Sequence, residues 1–160
     1  MHLTVHIASQ QMILHEDDGQ CRSYSVSTAS KGTGQKKGSW QTPLGRHVIK
    51  AKFGAGLPVN SVFVARRFTG ETYSPQLCAQ FPERKDWILT RILWLSGLEP
   101  GFNLNGNVDT ESRYIYIHGS PDTAAMGQPG SRGCIRMRNI DIVDLFDRVG
   151  EGTAITIQET

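Results

Sequence analysis

The chain has 160 residues, the length of one ordinary domain, and its 17 Lys and Arg against 15 Asp and Glu leave a net charge of +2. That balance is too small for a protein that coats a phosphate backbone. With 38% hydrophobic residues, 20% charged residues and 17 glycines, the composition excludes a disordered chain and points to strands, turns and loops.

Met-His-Leu-Thr-Val-His-Ile opens the chain without a basic stretch or an apolar core of its own, and reads as the start of a strand rather than an export leader. Short β-like runs follow at 3–8, 11–15 and 22–29, so an antiparallel meander is expected to begin the fold. Gly, Ser and Lys crowd 30–39, and Thr42-Pro43-Leu44-Gly45 makes a turn into a strand over 46–53.

Residues 54–87, punctuated by Gly54, Gly56, Pro58, Gly70, Pro75 and Pro82, read as an irregular insertion or lid with one strand at 61–66. Strands return at 87–95 and 113–118, joined by a Gly/Asn-rich loop. Trp87 and Trp94 suit core or wall positions.

Asn139 is placed to cap a helix to about Val149, with Ile142, Leu145, Phe146 and Val149 on one stripe and Gly150 as its stop. A last strand covers 153–157. The expected fold is β-rich α+β: one domain over 1–160, a β-sandwich or barrel with one clear C-terminal helix. No apolar run approaches the ~20 residues of a membrane-spanning helix.

Cys21, Cys78 and Cys134 form an odd set without CxxC spacing, which favours neither a disulfide framework nor a structural zinc site. His2, His6, His15 and His47 lack metal-ligand spacing, so structural roles are expected and no metal or organic cofactor is implied.

Chemistry concentrates in Tyr114-Ile-Tyr-Ile-His118-Gly119-Ser120 and Ser131-Arg132-Gly133-Cys134-Ile135-Arg136, where His118 precedes Cys134 by 16 positions. A cysteine attacks a carbonyl as thiolate, so it needs a base or positive potential and donors for the oxyanion that develops. His118 is the candidate base, and the amides of Gly133 and Cys134 are the candidate oxyanion donors; a structural thiol beside a tight turn is the alternative. No aspartate is placed to orient His118, which leaves a backbone carbonyl for that task. Arg132, Arg136, Arg138 and Arg148 form a modest basic cluster, the last two read as solvated.

The Ser131–Arg136 stretch, with His118-Gly119 upstream, resembles the YkuD-type L,D-transpeptidase family. Val26-Ser27-Thr28-Ala29, Thr42–Gly45, Ile92–Leu95 and Arg113–His118 extend the resemblance over nearly the whole chain. Ala29 departs from a frequent glycine, and Arg132 from a frequent second histidine. The resemblance implies Cys134 as nucleophile, His118 as general base, Gly119 as the carbonyl that orients it, Arg136 as a partner for a substrate carboxylate or for site structure, and Ser131 as a residue that shapes the loop. Arg132 is a further substrate-side candidate, placed to hold Cys134 as thiolate or to bind an anionic group, with an outward solvated arginine as the alternative.

It also implies cleavage of the bond between a diamino acid and D-alanine in a peptidoglycan tetrapeptide, through a thioester. Water as acceptor makes an L,D-carboxypeptidase; an amine makes a cross-link. The unexported opening and free thiols lead to a cytoplasmic carboxypeptidase of cell-wall recycling as the first expectation. An exported transpeptidase, periplasmic once a leader is removed, is the second, and a non-catalytic peptidoglycan-binding module the third.

Overall fold

Alternation of apolar and polar residues creates most of the strands. In the computed structural model, which describes residues 1–160, β1 (His2–His6) and β2 (Gln11–His15) bury every second residue, and with β3 (Cys21–Ser27) they form the expected meander. β4 (Gly45–Phe53) follows the Thr42–Gly45 turn, and β7 (Ile88–Gly97), β8 (Tyr116–Gly119), β9 (Ile135–Met137) and β10 (Ala154–Gln158) complete the main strands.

The sheet order β4-β10-β1-β2-β3-β9-β8-β7 closes on itself through a β4–β7 antiparallel pair, so no edge is left on this ring. Two parallel pairs interrupt the antiparallel pattern, β1 with β10 and β8 with β9. The second of these builds the site.

Leu3, Val5, Met12, Leu14, Ile117, Ile135 and Ile155 belong to a core cluster of 19 buried residues. Helix α2 (Asn139–Arg148) adds Ile142, Leu145 and Phe146 to it, as the stripe predicts, and Lys52 Nζ donates to the carbonyls of Phe146 (2.6 Å) and Val149 (2.7 Å) at the helix end. The N-terminus differs from expectation. Arg138 holds the extended cap position and makes no side-chain cap bond. Asn139 lies inside the helix because its amide is drawn into a buried junction: it accepts from Thr90 Oγ1 at 2.6 Å and donates to Asn60 Oδ1 at 2.9 Å and Asp122 Oδ1 at 3.2 Å.

The segment 54–87 is more ordered than its composition suggests. It holds a hairpin, β5 (Ser61–Val64) and β6 (Arg67–Thr72), hung on β7, then helix α1 (Pro75–Gln80), capped by Ser74. Sequence patterning misses β6 because all six of its residues are exposed and so show no alternation. The strand expected from 113 starts later, since 111–113 forms a short 3₁₀ turn.

Candidate active site

The register of β8 against β9 sets Ile117 beside Ile135 and His118 beside Arg136. Both isoleucines point into the core, so the alternation of a strand turns His118 and Arg136 to the other face. There Phe63, Ile92 and Tyr116 form a second apolar cluster, against which Cys134 and Trp94 pack. Cys134 immediately precedes β9 and lies alongside Tyr116, whose backbone N–H donates to its sulfur at 3.3 Å. His118 follows two positions on along the same face, roughly 7 Å of strand.

His118 is fully buried. Its Nδ1 lies 2.7 Å from the carbonyl of Gly119, and since a carbonyl only accepts, Nδ1 carries the proton. Nε2 is therefore a bare lone pair, buried and without any hydrogen-bond partner. Gly119 is required here: a Cβ on it would lie 2.5 Å from Asn139 Oδ1 and 2.6 Å from the Leu89 carbonyl. The Gly119 carbonyl is thus the group against which the His118 ring is held.

The electrostatics hold both partners neutral. Burial in the apolar cluster pushes the Cys134 thiol up to about 12, against the opposing pull of the Tyr116 N–H and of Arg136 and Arg113. Burial also lowers the His118 pKa from 6.5; Asp86 and the Gly119 bond act the other way, and Arg136 reinforces the lowering. At neutral pH the thiol and the imidazole on this sheet face are both uncharged rather than a preformed ion pair, and the sulfur lies 3.5 Å from the Tyr114 carbonyl.

Asp86 is one residue that sequence reasoning misses. Its carboxylate lies 2.8 Å from Arg136 Nη2, and His118 and Arg136 hold its pKa down despite burial. It precedes β7 in an aperiodic stretch, 50 positions from Arg136, so no local spacing points to it.

Several expected roles move. Gly133 sits at φ +129, a conformation that suits glycine, but its N–H donates to Ser131 Oγ at 3.2 Å and is not free for an oxyanion. Only the Cys134 N–H has no partner within the chain. Ser131 is buried and its hydroxyl donates to the Cys134 carbonyl at 2.5 Å, so it braces the loop from inside instead of meeting substrate. Thr42 continues that brace, accepting from the Ala29 N–H at 3.0 Å and donating to the Gly133 carbonyl at 2.9 Å.

Arg136 is not open for a substrate carboxylate, because Nε and Nη2 are held by Asp86 and Nη1 by the Gly130 carbonyl at 3.0 Å. Arg132 is exposed and stacks over Trp40 at 5.3 Å. It borders a separate cavity of about 340 Å³ with Lys37 and Arg113, and is not among the groups that act on the Cys134 thiol. The cavity over Cys134 itself, about 460 Å³, is lined by Ala65, Arg66, Asp86, Ile88, Tyr114 and Tyr116. No group of His, Cys, Asp and Glu is arranged to hold a metal ion. Arg138 and His2 do not enter either cavity, and Cys21, Cys78 and Cys134 are unpaired.

The family model of the L,D-transpeptidase catalytic domain, YkuD, matches residues 1–157. YkuD of Bacillus subtilis (strain 168), assigned as an L,D-transpeptidase, is 46% identical over 41 residues, 26% of this chain and 25% of that protein. YqjB of the same organism, assigned likewise, is 37% identical over 59 residues, 37% of this chain and 32% of that protein.

Among solved structures, the L,D-transpeptidase of Xylanimonas cellulosilytica superposes with a TM-score of 0.54 at 17% identity, over 98% of this chain and 59% of that one. L,D-transpeptidase 3 of Mycobacterium tuberculosis does so with a TM-score of 0.59 at 14% identity, over 98% of this chain and 60% of that one. At these identities the structures speak for the fold, a YkuD-like closed sheet. The chain thus spans a third or less of the curated relatives and about three fifths of the solved ones.

Proposed function

Because the chain belongs to the YkuD-type L,D-transpeptidase catalytic-domain family, we propose that it performs cysteine acyl transfer on peptidoglycan tetrapeptide stems. The bond broken joins the diamino acid to the terminal D-alanine. The observation that carries this reading is the unpartnered Nε2 of His118, buried on the same sheet face as the Cys134 sulfur, with its tautomer fixed by Gly119.

The steps follow from the charges. His118 Nε2 takes the thiol proton as Sγ attacks the scissile carbonyl, and the nearby carboxylate of Asp86 stabilises the imidazolium that forms. The Cys134 N–H, which has no partner in the chain, is the donor available to the developing oxyanion. Collapse breaks the C–N bond, the imidazolium returns its proton to the departing D-alanine amine, and the tripeptidyl group remains on Sγ as a thioester. A neutral starting pair makes charge appear only as reaction proceeds, where fixed dipoles act differentially.

Water as the acceptor gives an L,D-carboxypeptidase acting in the cytoplasm on recycled peptides. Support for that compartment comes from three unpaired thiols, with Cys21 exposed. The second reading, amine transfer to form a cross-link, is favoured by the assignment of the relatives as transpeptidases.

Incubation of the protein with a tetrapeptide, with and without excess diamino-acid acceptor, separates the two by mass spectrometry. Tripeptide alone supports the carboxypeptidase and a cross-linked dimer the transpeptidase. Peptide binding without turnover would leave only a binding module.

A further inference from the structure

The cavity over Cys134 has two charged residues in its lining, and they are not equivalent. Asp86 is neutralised by Arg136. Arg66, on the turn between β5 and β6, forms no ion pair, since every carboxylate that pairs does so with another cation. The mechanism above does not use it.

Arg66 is nonetheless held in place. Its Nη1 donates to Tyr116 Oη at 2.8 Å, and its guanidinium carbon lies 4.6 Å from the Trp94 ring centre and 5.0 Å from that of Tyr114. Stacking on two rings fixes the plane of a guanidinium and leaves its edge N–H groups free, the arrangement that suits a planar carboxylate. Of its five N–H donors only one is used within the chain. Tyr116 Oη accepts that bond and donates to nothing in the chain, so its own O–H is a second donor beside the first.

We infer that Arg66, with the Tyr116 hydroxyl, is the carboxylate-recognition element of this site, reading a free carboxylate that flanks the scissile bond. The inference rests on the peptide-cleavage reading and deepens it. A tetrapeptide offers two such groups: the C-terminal carboxylate of the leaving D-alanine, one residue or ~3.5 Å beyond the scissile carbonyl, and the distal carboxylate of the diamino acid. Either places a carboxylate, not a neutral chain, against the turn of the β5–β6 hairpin. Selection at the first makes the enzyme act only at free chain ends; selection at the second makes it prefer diaminopimelate over lysine.

Steady-state kinetics of wild type, Arg66→Gln and Arg66→Lys on three peptides test this: the tetrapeptide, its C-terminal amide, and an analogue with lysine in the diamino-acid position. Wild type is expected to discriminate against one analogue by roughly ten- to hundredfold in kcat/KM, and which one identifies the carboxylate. Arg66→Gln should raise KM for the intact tetrapeptide by a similar factor and abolish the discrimination, while Arg66→Lys restores part of it. A loss of equal size on all three peptides, or a wild type that treats them alike, overturns the inference and assigns Arg66 to holding the hairpin. Failure of wild type to cleave any of them overturns the peptide-cleavage reading itself, and the inference with it.

Discussion

The hydroxyl of Thr42 donates to the carbonyl of Gly133 at 2.9 Å, tying the turn before β4 to the loop that carries Cys134. The same oxygen accepts the Ala29 N–H, so one buried atom joins three segments. Thr42→Val keeps the shape and removes both bonds, leaving a buried donor and acceptor unpaired at a cost of about 1–3 kcal/mol. Thermal unfolding should register that loss, and kcat should fall further than stability explains, because Cys134 is no longer held in register.

Gly119→Ala places a methyl group 2.5 Å from Asn139 Oδ1 and 2.6 Å from a backbone carbonyl that has no freedom to withdraw. Destabilisation of roughly 3 kcal/mol or more is expected in denaturant unfolding, together with loss of turnover as the His118 tautomer is released. A fully stable, fully active variant contradicts the tight packing of β8.

The dependence of rate on pH follows from the neutral pair. Burial sets the His118 pKa below 6.5 and the Cys134 thiol at about 12. kcat/KM should therefore rise on one acid limb with its midpoint below pH 6.5 and stay level through mildly alkaline pH. Thiolate ultraviolet absorbance attributable to Cys134 should be absent at pH 7.

Asp86 and Arg136 act on that limb in opposite directions. Asp86 favours the protonated imidazole, so Asp86→Asn should move the limb to lower pH and reduce kcat; Arg136 disfavours it, so Arg136→Met should move the limb to higher pH. Limbs that stay in place in both variants sever this pair from His118.

His47 predicts a stability effect independent of catalysis. It is fully buried between the Gly45 carbonyl and Thr110 Oγ1, and burial lowers its pKa to about 4. Below pH 6.5 the unfolded chain binds a proton that the folded chain refuses, so stability falls as pH drops and levels off near pH 4. The drop from 6.5 to about 4 corresponds to roughly 3 kcal/mol. Denaturant melts at pH 7 and pH 4.5 should show most of this loss in wild type and much less of it in His47→Gln.

Residues whose signal is local were legible in the sequence. Strand alternation gave β1, β2 and β10, the helical stripe gave α2, and the His-Gly and Ser-x-Gly-Cys stretches gave His118, Gly119 and Cys134. Arg66 and Asp86 were not legible, because they come from the turn-rich 54–87 segment and reach Cys134 only through the pairing of β5 with β7 and of β7 with β8. Of the roles first given, Gly133 loses its oxyanion N–H, Ser131 keeps only the shaping of the loop and Arg136 only its part in site structure, because each polar group has a partner inside the chain that spacing does not reveal.

The most direct measurement is the intact mass of rapidly quenched enzyme incubated with tetrapeptide. Wild type should gain the tetrapeptide mass less D-alanine, mapped to Cys134 by proteolysis, with the adduct absent in Cys134→Ala and slow to form in His118→Asn. Turnover that persists in Cys134→Ala, or an adduct on another residue, would contradict the cysteine mechanism.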